Sequence, residues 1–308
     1  VSPARIFVTG AEGFVGGHLL AALRQAFPAA VLLGMDETRL DVTDRAATFA
    51  GIARHAPDVC IHLAAISAIA MAAADPARAW NVNLFGAINV AEAILAGAPD
   101  CRLLFVSTAE VYGGTFRAGA ALDETAPLAP MNLYAATKAA AEMALAALVP
   151  GGLRLMRLRP FNHTGPGQTE AFVVPAFAAQ IARAEAGLQP PVIAVGALTP
   201  ERDFLDVRDV CAAYVACIEC FDTLAANAVL NIASGTAVSI GSVLERLLGL
   251  ATRRIETAVD PARLRPVEIA RALGDANEAA RRLGWRPRFT LNETLQAVLD
   301  DARRTVVA

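Results

Sequence analysis

A tyrosine and a lysine stand four residues apart in NLYAATKAAAE, residues 132–142: Tyr134 and Lys138. Positions i and i+4 are neighbours on one face of a helix, so an alanine-rich segment of this kind sets a phenol beside an ammonium. A phenol with an ordinary pKa of about 10 is a poor acid or base near neutrality. A cation one turn away favours the phenolate and draws that pKa toward working pH. A plain surface helix would show the same pair, so context has to decide. The other tyrosines lack the spacing, since Tyr112 is followed at i+4 by Phe116 and Tyr214 by Ile218. Upstream, the run RLLFVSTAEVYG brings Ser107 and Thr108 to the end of an apolar stretch. A hydroxyl, the phenol and the ammonium can therefore converge on one reacting carbon.

That convergence needs a scaffold in which a strand ends beside the start of a helix. From Arg5 the chain alternates short apolar runs with longer helical ones: IFVTG, AVLLGM, DVCIHLA, RLLFVS and LRLMRLR read as strands. Between them, FVGGHLLAALRQAF, residues 43–54, the stretch around PARAWNVNLFGAINVAEAIL and residues 132–148 read as helices. Continuous Val/Ile/Leu strands separated by amphipathic helices imply a parallel sheet covered on both faces. The fold class is α/β, a doubly wound parallel sheet. After Pro160 the punctuation becomes rich in Gly and Pro, in RPFNHTGPGQ, GLQPPVIAVGALTPERDF and DPARLRP, with a return to a buried strand at VLNIAS.

The first strand runs into TGAEGFVGGHL, which places Gly10, Gly13 and Gly16 at a strand-to-helix turn. Glycines there permit a tight turn, backbone approach to a pyrophosphate and close helix packing, while the helix N-terminus offers N–H donors. A dinucleotide site in a Rossmann fold is the expectation. Asp36, just past the second strand, stands where a carboxylate accepts hydrogen bonds from ribose hydroxyls and repels a 2'-phosphate; it could instead merely open a turn, and Arg39 nearby keeps the phosphorylated cofactor open. The expected division is a NAD(P)-binding Rossmann domain over residues 1–166 with a return segment 204–233, and a smaller C-terminal substrate-binding domain from 167–203 and 234–308.

Composition narrows the function classes. The chain has 308 residues, 55% apolar and 19% charged, with a net charge of -3. This suits one large domain or two intimately joined ones and gives no basic footprint for nucleic acid. Five cysteines, Cys60, Cys101, Cys211, Cys217 and Cys220, have no framework spacing. CIEC lies in an apolar helical run without a second Cys or His cluster, so buried thiols in a reducing cytoplasm are expected and no metal is. VCIHLAAISAIAMAAA is shorter than the ~20 residues of a spanning helix, and RIFVTGAEGF breaks at two glycines, so neither membrane anchoring nor export is expected.

TGAEGFVGG, HLAA at residues 62–65, VSTAEVYG, the Tyr134/Lys138 pair, RPFNHTGPGQ and RDFLDVRDV together resemble, over nearly the whole chain, the extended short-chain dehydrogenase/reductase family that acts on nucleotide-activated sugars. RPFNHTGPGQ, FVVPAFAAQIAR and DPARLRP resemble its GDP-6-deoxy-4-keto-mannose reductase branch, which forms GDP-rhamnose. The resemblance implies catalysis by Thr108, Tyr134 and Lys138, with Ser107 as understudy to Thr108. It implies NAD(P)H held by Gly10, Gly13, Phe14, Val15, Gly16, Asp36, Asp41, Val42, Leu63, Ala64, Ala65, Lys138 and Pro160. A nucleotide sugar would meet Ser107, Glu110, Tyr134, Asn162, Arg202 and Arg263, with Phe161 lining the site, His163 either touching substrate or satisfying loop backbone, and Asn83 steadying the loop beside the active site. Arg202 and Arg263 would face the diphosphate, although either could be an ordinary surface ion pair. A homodimer through the Tyr134 helix and the helix after Asn83 is also implied. Within the family a 4,6-dehydratase is the alternative, because Glu110 stands where dehydratases carry a base, although Ala109 replaces an acid that some of them have; an epimerase is a third. A non-catalytic nicotinamide sensor could dispense with the Tyr134/Lys138 pair.

Overall fold

The computed structural model describes residues 2–264 and 269–307. The end of DPARLRP, residues 265 and 266, lies outside them.

In chain order the strands are β1 (Arg5–Thr9), β2 (Val31–Met35), β3 (Val59–His62), β4 (Arg102–Val106), β5 (Arg154–Pro160), β6 (Asn162–Thr164), β7 (Val192–Val195), β8 (Glu201–Asp206), β9 (Ala228–Ile232), β10 (Ala237–Ser239), β11 (Glu256–Val259) and β12 (Arg271–Ala272). The α-helices are α1 (Phe14–Ala26), α2 (Arg45–His55), α3 (Ile69–Ala74), α4 (Pro76–Trp80), α5 (Ala87–Gly97), α6 (Leu133–Leu148), α7 (Val173–Glu185), α8 (Val207–Cys220), α9 (Ile240–Gly249), α10 (Asn277–Leu283) and α11 (Leu291–Val307).

Six strands hydrogen-bond in the order β2-β1-β3-β4-β5-β9, every pair parallel. Alternate side chains fill opposite faces, the two-residue period of a strand. Ile6, Val8, Ile61, Leu104 and Leu158 pack beneath α1 and α8, while Phe7, Cys60, Leu103, Phe105 and Leu155 pack beneath α2, α5 and α6. Truncating a buried ring such as Phe7 to alanine would cost about 3–5 kcal/mol. The chain leaves β1 toward β2 on one side and comes back to β3 on the other, so the crevice beyond the carboxyl ends of β1 and β3 is the switch point where such sheets bind ligands.

A second apolar cluster joins α7, β7, α9 and α11 through Phe177, Ile181, Ile193, Val243, Leu247 and Leu295. Strand β8 pairs with β6, β10 and β12, and β11 pairs with β7. Ala279, Leu283 and Trp285, at and just after α10, instead join the core of the large sheet beside α8.

The stretch PARAWNVNLFGAINVAEAIL, read from its periodicity as one long helix, is α4, six π-helical residues Asn81–Gly86, and α5. The widened turn accompanies an inward-facing Asn83, which donates to the Thr137 hydroxyl at 2.9 Å and to the Ile66 carbonyl at 3.1 Å and accepts from the Ile66 N–H at 2.8 Å. A π-turn of this kind is a frequent mark of a functional region.

Candidate active site

Helix α6 opens on Asn132, whose side chain accepts from the Ala135 N–H at 2.8 Å and so caps the turn that carries Tyr134. Thr108 caps the 3₁₀ segment Ala109–Ala118, accepting from the Glu110 N–H at 3.2 Å. Glu110 closes the link by accepting from Asn132 Nδ2 at 3.2 Å. Strand end and helix start are thus tied to each other, and Thr108, Glu110 and Tyr134 share one site.

Tyr134 is buried, and burial pushes its phenol up to about 12, with hydrogen bonding to Thr108 acting downward and the charge of Glu110 upward. Lys138 is only 2% exposed. Burial pushes its ammonium down to about 7, against the pull of Glu142. The spacing led us to expect a lysine that tunes the tyrosine, and the structure places Lys138 one turn past Tyr134 on the same helix. Lys138 Nζ lies 4.4 Å from the centre of the Phe105 ring, stabilised as a cation over a π face, and the groups that act on the phenol are Thr108 and Glu110. Raised in this way, the phenol is protonated at neutral pH, so the proton is present to be donated, although burial alone makes it a weaker acid than a free phenol.

On the cofactor side Gly10 has φ 67°, and a Cβ there would stand 2.8 Å from the Ala64 N atom. A Cβ on Gly16 would overlap the Gly10 carbonyl oxygen. Helix α1 begins with no side-chain cap at Gly13 and no acidic residue in its first turn, so no side chain satisfies its first N–H donors. Leu63, Ala64 and Ala65 follow β3 against this turn, the Ala64 N–H donating to the Thr9 hydroxyl at 3.2 Å. Phe14 sits edge-on to His18 with ring centres 5.5 Å apart and stacks on His163 at 6.3 Å. His163 is fixed by the Phe161 carbonyl, 2.9 Å from its Nδ1. The Ser107 hydroxyl, beside Thr108 at the end of β4, is buried with no partner among the described residues. A close-approach glycine cradle, an open helix terminus and this spare buried hydroxyl fit a nicotinamide dinucleotide.

Asp36 accepts from the Thr38 and Arg39 N–H groups at 2.8 and 3.1 Å and from the Thr38 hydroxyl, so it does build its own turn; its second oxygen lies 3.6 Å from Arg39 Nε. The sequence reading missed Glu12. Its carboxyl is raised by hydrogen bonding to Asp36 and by that residue's charge, which places two carboxylates side by side where β2 ends against the glycine turn. An acid inside the glycine turn was the available signal. Asp41 is exposed and accepts from the Thr43 N–H and hydroxyl at 2.9 and 2.8 Å, whereas Val42 is buried and its carbonyl accepts from Asn89 at 2.9 Å.

His62 was also passed over as a residue in its own right. It is buried, its Nδ1 lies 2.8 Å from the Thr9 hydroxyl, and its Nε2 has no partner among the described residues. Burial and then Lys138 push its imidazole down to about 3.

On the substrate side Pro160 ends β5 and Asn162 opens β6 with an exposed side chain. Arg202 donates to the Glu201 and Ile269 carbonyls at 2.8 and 3.2 Å; burial lowers its pKa while the charge of Glu110 raises it. Arg263 stands apart, exposed and paired with Asp260 at 3.3 Å. A cavity of about 580 Å³ lies at the opposite end of the sheet, lined by Asp58, Cys101, Arg102, Arg154 and Asp222 among others. Its arginines pair with Asp222, and we attach no chemistry to it. Among the described residues the five cysteines are free, no cluster of His, Cys, Asp or Glu could hold a metal, and no helix is long and apolar enough to cross a membrane.

Fold and site together define an extended short-chain dehydrogenase/reductase. Residues 7–298 match the family described as GDP-mannose 4,6 dehydratase, and the chain belongs to it. It is 37% identical over 298 residues to the GDP-6-deoxy-D-mannose reductase of Pseudomonas aeruginosa, the match covering 96% of each chain. It is 26% identical over 302 residues to the GDP-6-deoxy-D-talose 4-dehydrogenase of Aggregatibacter actinomycetemcomitans, again over 96% of each. Its fold resembles that of RMD from Pseudomonas aeruginosa complexed with NADPH, with TM-score 0.88 and 35% identity over 98% of this chain and 99% of that one.

Proposed function

We propose that this protein is an NAD(P)H-dependent oxidoreductase that reduces the 4-keto group of GDP-4-keto-6-deoxy-D-mannose to give GDP-D-rhamnose. The observation that carries the reading is the buried Tyr134 phenol at the start of α6, set against Thr108 and one helical turn from Lys138. Reducing a ketone to an alcohol takes one hydride at carbon and one proton at oxygen. The reduced nicotinamide supplies the hydride. Thr108 donates a hydrogen bond to the 4-keto oxygen, Tyr134 hands its proton to that oxygen as negative charge develops there, and Lys138 holds the nicotinamide ribose. Ser107, Glu110 and Asn162 line the sugar, and Arg202 meets the diphosphate, with Arg263 joining it from its present pairing with Asp260. The relatives support this reading, two of them named for acting on GDP-6-deoxy sugars.

The division of the chain into a dinucleotide domain over 1–166 and 204–233 and a substrate domain over the remainder belongs to the same proposal, with residues 277–285 leaning on the former. So does a homodimer through α6 and the segment around α5, where Met143 and Phe85 are 68% and 53% exposed. Five free thiols suit a cytoplasmic enzyme.

A 4,6-dehydratase is the second reading, favoured by Glu110 beside Tyr134. Product analysis with GDP-, UDP- and dTDP-linked 4-keto-6-deoxy sugars, alongside GDP-mannose, tests the assignment. We expect reduction of the GDP-linked ketone with stoichiometric consumption of NAD(P)H. Water elimination from GDP-mannose would replace the reductase with the dehydratase.

A further inference from the structure

Arg159, 4% exposed near the end of β5, has its guanidinium engaged on three elements at once. Its Nε and Nη2 fork the Glu142 carboxylate at 3.0 and 2.7 Å, and its Nη1 donates to the Tyr112 hydroxyl at 3.0 Å and to the Glu124 carbonyl at 3.3 Å. Tyr112 donates in turn to Asn231 Oδ1 at 2.7 Å, and Asn231 stands opposite Arg159 in the β5–β9 register. Three of these residues lie one step from the active site. Glu142 is one turn past Lys138 and two past Tyr134 on α6, Tyr112 is four residues past Thr108, and Arg159 runs directly into Pro160, Phe161 and Asn162. A guanidinium presents its donors in a rigid plane. One buried group therefore sets the mutual placement of the Thr108 segment, the Tyr134 helix and the β5 end.

The same cluster bears on charge. Arg157, two residues earlier on the same face of β5, reaches the wholly buried Glu142 at 3.5 Å. The titratable and charged groups about Lys138 are Tyr134 and Glu142 on its own helix, His62 on β3, and Arg157 and Arg159 behind Glu142. His62 is neutral at working pH. Glu142, one helical turn past Lys138 on α6, is thus the carboxylate on that face, and the two arginines hold it in place.

We propose that Arg159 and Glu142 are positioning residues of this active site: the arginine clamps the three elements that carry it, and the carboxylate it holds is the counter-charge that keeps Lys138 protonated. This rests on the roles given above to Tyr134 and Lys138. The test compares Glu142→Gln, Tyr112→Phe and Tyr134→Phe in the full chain, each first checked for folding by thermal melting, with NADPH and the GDP-linked 4-keto sugar. Glu142→Gln keeps the shape and removes the charge. Lys138 and Glu142 are i, i+4 neighbours on α6, and loss of a nearby opposite charge lowers an ammonium's pKa by roughly one unit, so the alkaline limb of kcat against pH should move down by about that much while KM changes little. A folded Glu142→Gln with the parent's kcat and alkaline limb overturns the proposal. Should that variant fail to fold, Tyr112→Phe carries the test. It keeps the Arg159–Glu142 pair and removes the hydrogen bonds of Tyr112 to Arg159 and Asn231, which tie down the Thr108 segment, so kcat should fall by about tenfold, a loss of about 1.4 kcal/mol, with KM and the alkaline limb in place; an unchanged kcat overturns the clamp. Parent-like turnover by Tyr134→Phe would show instead that the underlying reading of the site has failed, and the proposal would fall with it.

Discussion

Glu110 accepts a hydrogen bond from Asn132 at 3.2 Å, and Asn132 caps the helix that bears Tyr134. A carboxylate used in this way orients the proton donor and has no need to act as a base. Glu110→Gln preserves the shape and one acceptor oxygen, so we expect it to retain substantial ketone reduction, within roughly tenfold of the parent. A loss of several powers of ten, together with water elimination from GDP-mannose by the parent, would make Glu110 a catalytic base.

Removing the phenolic proton is far more damaging. Tyr134→Phe should bind NAD(P)H as the parent does, because the glycine cradle and Lys138 are untouched, yet turn over roughly two to four powers of ten more slowly, the usual range for a positioned proton donor. Cofactor titration by fluorescence and kcat at neutral pH check the two halves separately. Near-normal kcat would take Tyr134 out of the mechanism.

Cofactor choice turns on Asp36 and Glu12. Two adjoining carboxylates disfavour a 2'-phosphate, so NADH should be accepted at least comparably with NADPH. Asp36→Ala should raise the NADPH/NADH ratio of kcat/KM, and Glu12→Ala should raise it by less. RMD is a solved relative complexed with NADPH, which makes this comparison informative. A strong NADPH preference that neither substitution alters would shift attention to Arg39, whose guanidinium lies against Asp36.

His62 gives a pH dependence with a definite sign. Its imidazole is held near 3 in the folded chain, against about 6.5 when unfolded. Between those values the unfolded chain binds a proton that the folded chain refuses. The contribution to stability is therefore complete above about pH 6.5 and is lost progressively as pH falls toward 3, amounting to roughly a few kcal/mol at most. Urea midpoints of the parent should fall more steeply over that window than those of His62→Gln. Parallel curves would mean that His62 does not refuse the proton.

The sheet was legible because β1, β3 and β4 are buried on both faces along most of their length and therefore read as apolar runs. The glycine turn was legible because Gly10 and Gly16 meet backbone where a Cβ has no room. The short pairings of β6, β10 and β12 were not, since two or three residues are too few for a period to show. At the site, the spacing of Tyr134 and Lys138 could be read, but the burial of both groups and the place of Lys138 over Phe105 could not, because these are facts of packing. Glu12 meets Asp36, and Arg159 meets Tyr112 and Glu142, only because the register of different strands brings them together, and no local pattern announces it.

The most direct measurement is the fate of the hydride. With NADPH or NADH carrying deuterium at the transferable position of the reduced ring, the account predicts that the product formed from GDP-4-keto-6-deoxy-mannose carries one deuterium at carbon 4 of the sugar and none at carbon 6, with one cofactor oxidised per product. A product without deuterium at carbon 4, or turnover that leaves the added cofactor reduced, would contradict it.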